Sequence, residues 1–88
     1  MAAITIITKE LNGNISFNDA NNNKVASLTD NAHARRVGMQ GIEITDATGL
    51  KITVFAGVVS KMSSDAGTIT NPTQQQVLEE LATNFFCS

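Results

Sequence analysis

The residues that could carry chemistry are few and scattered. The chain has one histidine, His33, one cysteine, Cys87, and eight carboxylates among 88 residues. A cysteine nucleophile needs a base within hydrogen-bond reach, and nothing in the sequence brings His33 to Cys87. Next to Phe85 and Phe86, Cys87 reads instead as a small apolar thiol that packs. One histidine and one cysteine do not close a structural zinc site, which takes four ligands. Asp46 and Asp65 precede small residues and glycine and read as turn formers. Glu79 and Glu80 read as a helix surface. No carboxylate pair stands on one element as a general acid and base, and no calcium-loop pattern occurs. Gly38-Met39-Gln40-Gly41 is the nearest approach to a phosphate loop, but the lysine and helix that should follow are missing. The expectation is a protein that is not an enzyme, with no cofactor and no metal.

What remains is contact chemistry. His33-Ala34-Arg35-Arg36 is the one basic cluster, suited to a phosphate, a carboxylate or a neighbouring subunit, or simply to solvent. The balance of six Lys/Arg against eight Asp/Glu gives a net charge of −2, with neither Tyr nor Trp. Nucleic-acid binding relies on basic residues that neutralise phosphates and on aromatic stacking, so this composition disfavours it. Phe86 lies about 100° from Phe85 on a helix and falls off the apolar stripe. His33, Arg35, Arg36 and Phe86 are therefore the candidate partner contacts.

The elements that must position these residues are led by Ile42 to Val59. Ile42 and Ile44, then Leu50, Ile52, Val54 and Ala56, alternate with polar residues and share one face of two strands. Between them Asp46-Ala47-Thr48-Gly49 suits a type I turn with Gly49 at positive φ and Asp46 bonded to the amide two residues on. Phe55 interrupts the polar side and Val58-Val59 end the alternation, as in a strand covered on both faces by a helix or another subunit. Upstream, Ala3 to Leu11 and Ile15 to Phe17 flank Asn12-Gly13, the pattern of a two-residue hairpin. Asn18 to Asn23 is a polar surface loop. Lys24 to Leu28 reads as a weak third strand, and Thr29 to Arg36 as a loop with room for one turn of helix. Val37 and Met39 are out of phase with Ile42 and Ile44, and a bulge at Gly41 would repair the register. Ser64 to Gly67 is a turn before a last strand, Thr68 to Thr70. The closing helix runs from about 72 to 85, with Asn71 as N-cap, Pro72 at the first position and Gln74 completing a capping box. Val77, Leu78, Leu81, Ala82 and Phe85 form its apolar stripe.

These elements describe one domain, residues 1–88, of the α+β class: an antiparallel sheet or small barrel of five to seven strands with one C-terminal helix. A chain this short buries a modest core. A lone cysteine leaves no internal disulfide, so association is the remaining supplement to stability. No run of about 18 apolar residues spans a membrane, and the N-terminal residues lack the basic start and cleavage pattern of a signal peptide. Charged residues make up only 16%. Such a low charge suits a packed assembly better than a free monomer.

The short chain rich in Thr, Asn and Ala, the hairpin ITDATGLKITV and the closing helix after TNPTQQQVLEEL resemble small virion proteins of tailed bacteriophages: capsid-auxiliary, connector and fibre-associated subunits. That resemblance implies a non-enzymatic structural role in the virion, with copies of itself or other assembly proteins as partners. Outside a virion the expected location is the cytoplasm. The alternatives are a small binding module that regulates or inhibits another protein, and a nucleic-acid-binding accessory using His33, Arg35 and Arg36.

Overall fold

Three hairpins of this protein close on the same local device. In Glu10–Gly13, Asp19–Asn22 and Asp46–Gly49 the first carbonyl accepts from the fourth amide, at 2.9, 3.0 and 3.0 Å. The fourth residue, Gly13, Asn22 or Gly49, takes φ of 93°, 64° or 89°. The first residue's amide then donates to the carbonyl just beyond the turn, on Asn14, Asn23 or Leu50. This is a type I turn closed by a bulge, whose twist suits the flanking strands. Asp46 adds side-chain bonds: one carboxylate oxygen accepts from the Thr48 amide at 3.0 Å and the Leu50 amide at 3.2 Å. The other reaches back to the Thr29 amide at 3.2 Å. The expected Asp46–Gly49 turn is therefore present. The expected two-residue Asn12-Gly13 turn is replaced by the longer form, in which Gly13 alone of that pair has positive φ.

The computed structural model describes residues 3–86, so Cys87 lies outside the described residues. In chain order the strands are β1 (Ile6–Lys9), β2 (Ile15–Asn18), β3 (Lys24–Leu28), β4 (Ala32–Val37), β5 (Gly41–Asp46), β6 (Lys51–Phe55), β7 (Lys61–Ser64) and β8 (Gly67–Thr70). A 3₁₀ turn, Ala56–Val58, follows β6, and helix α1 (Gln74–Glu80) runs on into a π turn, Leu81–Phe85. The strands form a five-stranded sheet ordered β3-β2-β1-β7-β8 and a three-stranded sheet ordered β4-β5-β6. Pairing is antiparallel except between β1 and β7. The fold is α+β, two mostly antiparallel sheets with a C-terminal helix, and no closed barrel forms among the described residues.

The core fills the space between the sheets. Ile7, Ile15, Phe17 and Leu28 come from the larger sheet, Ile42, Ile44 and Val54 from the smaller, and Val77, Leu81 and Phe85 from the helical segment. The helix stripe is thus consumed inside the molecule, packed on β4 and β5, rather than left as an interface. Of its predicted members Leu78 is half-buried and Ala82 exposed. Lys9 donates to the Phe85 carbonyl and sits 3.9 Å from Asp30. A cation there complements the negative end of the helix dipole.

Five local expectations are corrected. Ala32–Val37 is a strand, because its backbone pairs residue for residue with β5 from Ala32↔Asp46 to Val37↔Gly41. Gly41 is a paired strand residue rather than a bulge; the change of face falls in the turn before it, where Gly38 has φ of 67°. A Cβ on Gly41 would stand 2.5 Å from the Val37 carbonyl oxygen, so the close approach of β4 requires glycine there. The helix cap is Thr73, whose hydroxyl accepts from the Gln76 amide at 3.2 Å while Gln76 accepts from the Thr73 amide at 2.9 Å. Asn71, at φ of 48°, turns the chain into that cap instead. Lys61–Ser64 adds a strand ahead of the Ser64–Gly67 turn, which with β4 brings the total above seven. Finally, β6 ends at Phe55, so Val58 closes the 3₁₀ turn and Val59 caps it, and neither extends a strand covered on both faces.

Candidate functional site

The three-stranded sheet carries most of the residues singled out by sequence. Its register lines up His33, Thr45 and Lys51 in one cross-strand row, Arg35, Glu43 and Thr53 in the next, and Val37, Gly41 and Phe55 in the third. These rows face away from the core, since Ile42, Ile44 and Val54 on the other parity are fully buried. Arg35 donates to Glu43 at 2.8 Å, and Lys51 lies 3.8 Å from the same carboxylate oxygen. The Arg35 hydrogen bond, helped by the nearby positive charges of Arg35 and Lys51, holds the Glu43 carboxyl below its usual pKa.

His33, Arg35 and Arg36 are therefore brought onto one strand, but not into one constellation. His33 and Arg35 share the solvent face, whereas Arg36 pairs with Ile42 and has the opposite parity. The Arg35 guanidinium is already engaged with Glu43. Phe86 is only 8% exposed and belongs to the core. It does not stand free as an anchor; its ring joins Ala34, Leu78 and Ala82 around a depression of about 190 Å³ beside His33. Among the described residues no group of three or more His, Cys, Asp or Glu side chains converges on one point.

The other edge of the same sheet differs. Along β6 runs an apolar groove of about 760 Å³, walled by Leu50, Ile52 and Phe55 on one side and Ile4, Val25 and Ala26 on the other. It separates β6 from β3, the two strands that end their respective sheets on this side. Leu50 is 47% and Phe55 58% exposed. The flanking bonds, Asp46 amide to Leu50 carbonyl and Ala56 amide to Gln40 carbonyl, set the phase of the β5–β6 ladder. In that phase Leu50, Ile52 and Val54 point their backbone groups at β5, and Lys51, Thr53 and Phe55 point theirs at the groove. Among the described residues those outward groups have no backbone partner.

An open strand edge is a template for another strand, and proteins normally blunt it. The remaining edges here are blunted: β4 by its charges and the helix, β3 by an irregularity in its pairing beyond Phe17, and β8 by its length of four residues. Lys51 is the one charge on β6. The residues missed in the sequence are Leu50 and Phe55. The readable signal was Phe55, an aromatic on the polar parity of its strand. A buried Leu50 was the natural reading of an alternating run, and only the position of β6 at a sheet edge exposes it.

The arrangement offers main-chain hydrogen bonding beside apolar side chains, which is the chemistry of strand addition. No helix among the described residues is long and apolar enough to cross a membrane. Compared with known proteins, the chain matches no family model, no curated protein and no solved structure.

Proposed function

We propose that this protein is a non-enzymatic structural subunit that acts by protein–protein contact, in an assembly of the phage-virion kind and located in that particle. The observation that carries the reading is the groove along β6: an unpaired strand edge flanked by Leu50 and Phe55, 47% and 58% exposed. An edge of this kind is a liability in a free monomer and an asset in an assembly. Copies of the same chain and other assembly proteins are the expected partners. The nucleic-acid alternative loses support because Arg35, one of its two arginines, is engaged with Glu43 at 2.8 Å.

Light scattering on a size-exclusion column, repeated over a dilution series, tests the reading. A discrete oligomer that persists on dilution is expected. A monomer at every concentration would overturn the self-assembling form and favour a binding module for a foreign protein.

A further inference from the structure

We infer that β6 pairs antiparallel with β6 of a second copy across a two-fold axis at Thr53, joining two three-stranded sheets into one of six. The inference rests on the assembly reading above and names its partner and register.

Three observations select a second copy as the occupant. First, β6 is self-complementary. Its sequence Lys51-Ile52-Thr53-Val54-Phe55, turned about Thr53, sets Ile52 against the second copy's Val54 on the core side. On the solvent side Thr53 meets Thr53 of the second copy, and Lys51 meets its Phe55. Aliphatic pairs and Thr–Thr pairs are favourable across strands. An ammonium beside an exposed aromatic ring gains cation–π attraction. No like charges stand opposite one another, whereas moving the axis to Lys51 would oppose two lysines.

Second, the backbone phase fits. The groups that point into the groove belong to Lys51, Thr53 and Phe55, and the same positions of the second copy face them in this register. Each free N–H and C=O of these residues then gains a partner, without disturbing any bond to β5. Third, the apolar walls need a cover. Ile52 of β6 is half-buried and Leu50, just before the strand, is 47% exposed, and both line the groove with Ile4 and Val25. Pairing brings the second copy's Ile52 and Val54 alongside them, so the two grooves close against each other.

The edge position makes a selective test available. The Thr53 amide points out of the sheet, so Thr53→Pro removes a bond only between copies, and proline is tolerated at such a site. With the wild type eluting as a dimer, Thr53→Pro is expected to elute as a monomer at the same concentration, with an unchanged circular-dichroism spectrum. Phe55→Lys places a lysine opposite Lys51 and is expected to raise the dissociation constant at least tenfold. Thr53→Cys, in a Cys87→Ser background, should cross-link to a dimer under mild oxidation. Residues facing each other in a hydrogen-bonded pair sit about 5.5 Å apart at Cα, within disulfide reach. Arg36→Cys on β4 should not cross-link.

An oligomer that survives both Thr53→Pro and Phe55→Lys, and that Thr53→Cys does not trap, would overturn the β6 interface while leaving the assembly reading standing. A wild type that is monomeric throughout would overturn both. Should Thr53→Pro lose its folded spectrum, the Phe55→Lys and cross-linking results decide, because neither alters the backbone.

Discussion

β4 and β6 flank the same central strand, but they end the sheet in opposite ways. β4 carries His33, Arg35 and Arg36 along its exposed positions, and its inner side, at Ala32 and Ala34, lies under Leu78 and the π turn. β6 carries Ile52 and Phe55 beside an open groove, with Lys51 as its one charge. Charge on an edge discourages pairing with another chain, and a covering helix removes the apolar surface that would reward it. Basic residues in this chain therefore need not mark a binding site. On β4 they mark the side of the sheet that is closed.

The cover over β4 is the first place to break this contrast. Leu81 is fully buried at the junction of α1 and the π turn, inside the core that the helix shares with β5. Leu81→Ala should cost about 2–5 kcal/mol, because the cavity adds to the lost transfer energy. In a domain of this size that is a large share of total stability. Urea unfolding followed by circular dichroism reads it, since the chain lacks Trp and Tyr as fluorescent reporters. If the helix is the seal, the variant should also gain hydrogen exchange at the β4 amides more than at those of β5.

The centre of the sheet comes next. Gly41 stands between Val37 on β4 and Phe55 on β6, and an added Cβ would meet the Val37 carbonyl at 2.5 Å. Gly41→Ala should destabilise by about 1–3 kcal/mol, the usual range for overpacking. The damage should fall on β4, leaving pairing at β6 in place. Solution mass together with the urea midpoint distinguishes that result from general unfolding.

These elements also show what sequence could reveal. The Asp46–Gly49 turn was legible because its determinants are local: a carboxylate that reaches the next amides and a glycine at the position of positive φ. The helix was legible through its stripe, although its cap was read at Asn71 instead of Thr73. Both N-cap candidates are chemically sound, and the choice depends on where the preceding strand releases the chain. β4 was not legible, because Ala-His-Ala-Arg-Arg has little strand preference and becomes a strand by pairing with β5. β7 pairs with β8 in a hairpin, but its other partner, β1, lies more than 50 residues upstream and is not visible from the local pattern. Burial of Phe86 and exposure of Leu50 likewise depend on neighbours distant in sequence. The open edge was the least legible feature of all, since strand order cannot be seen from one strand.

A pH effect is expected from the turn that joins β5 to β6. The hydroxyl of Thr48, then the amides of Thr29, Leu50 and Thr48, bond the Asp46 carboxylate and hold its pKa below the usual value. A group with a lowered folded-state pKa adds stability that is complete above its unfolded value, about 4, and is lost as pH falls through the folded one. Thermal midpoints should therefore drop below about pH 4. Asp46→Asn should lower the midpoint at neutral pH and flatten that acid limb relative to wild type. An acid limb of unchanged steepness in the variant would assign it to other carboxylates, Glu43 first, whose pKa is also lowered.

The smallest effect on stability, and the sharpest test of the contrast, comes from Arg35→Ala with Arg36→Ala. Both side chains are exposed, and the Arg35–Glu43 pair is a surface ion pair, so the urea midpoint should hardly move. What should change is the character of the edge. Without its two arginines, β4 presents an uncharged apolar run from Ala34 to Val37 along its outer edge, closer to what β6 presents in the native chain. The double variant is therefore expected to form higher oligomers through a second edge, and Thr53→Pro added to it should leave those β4 contacts intact. If instead the double variant keeps the native mass at every concentration, the helix alone is enough to close β4. The arginines would then be solvated surface, and the difference between the two edges would reside in what covers them.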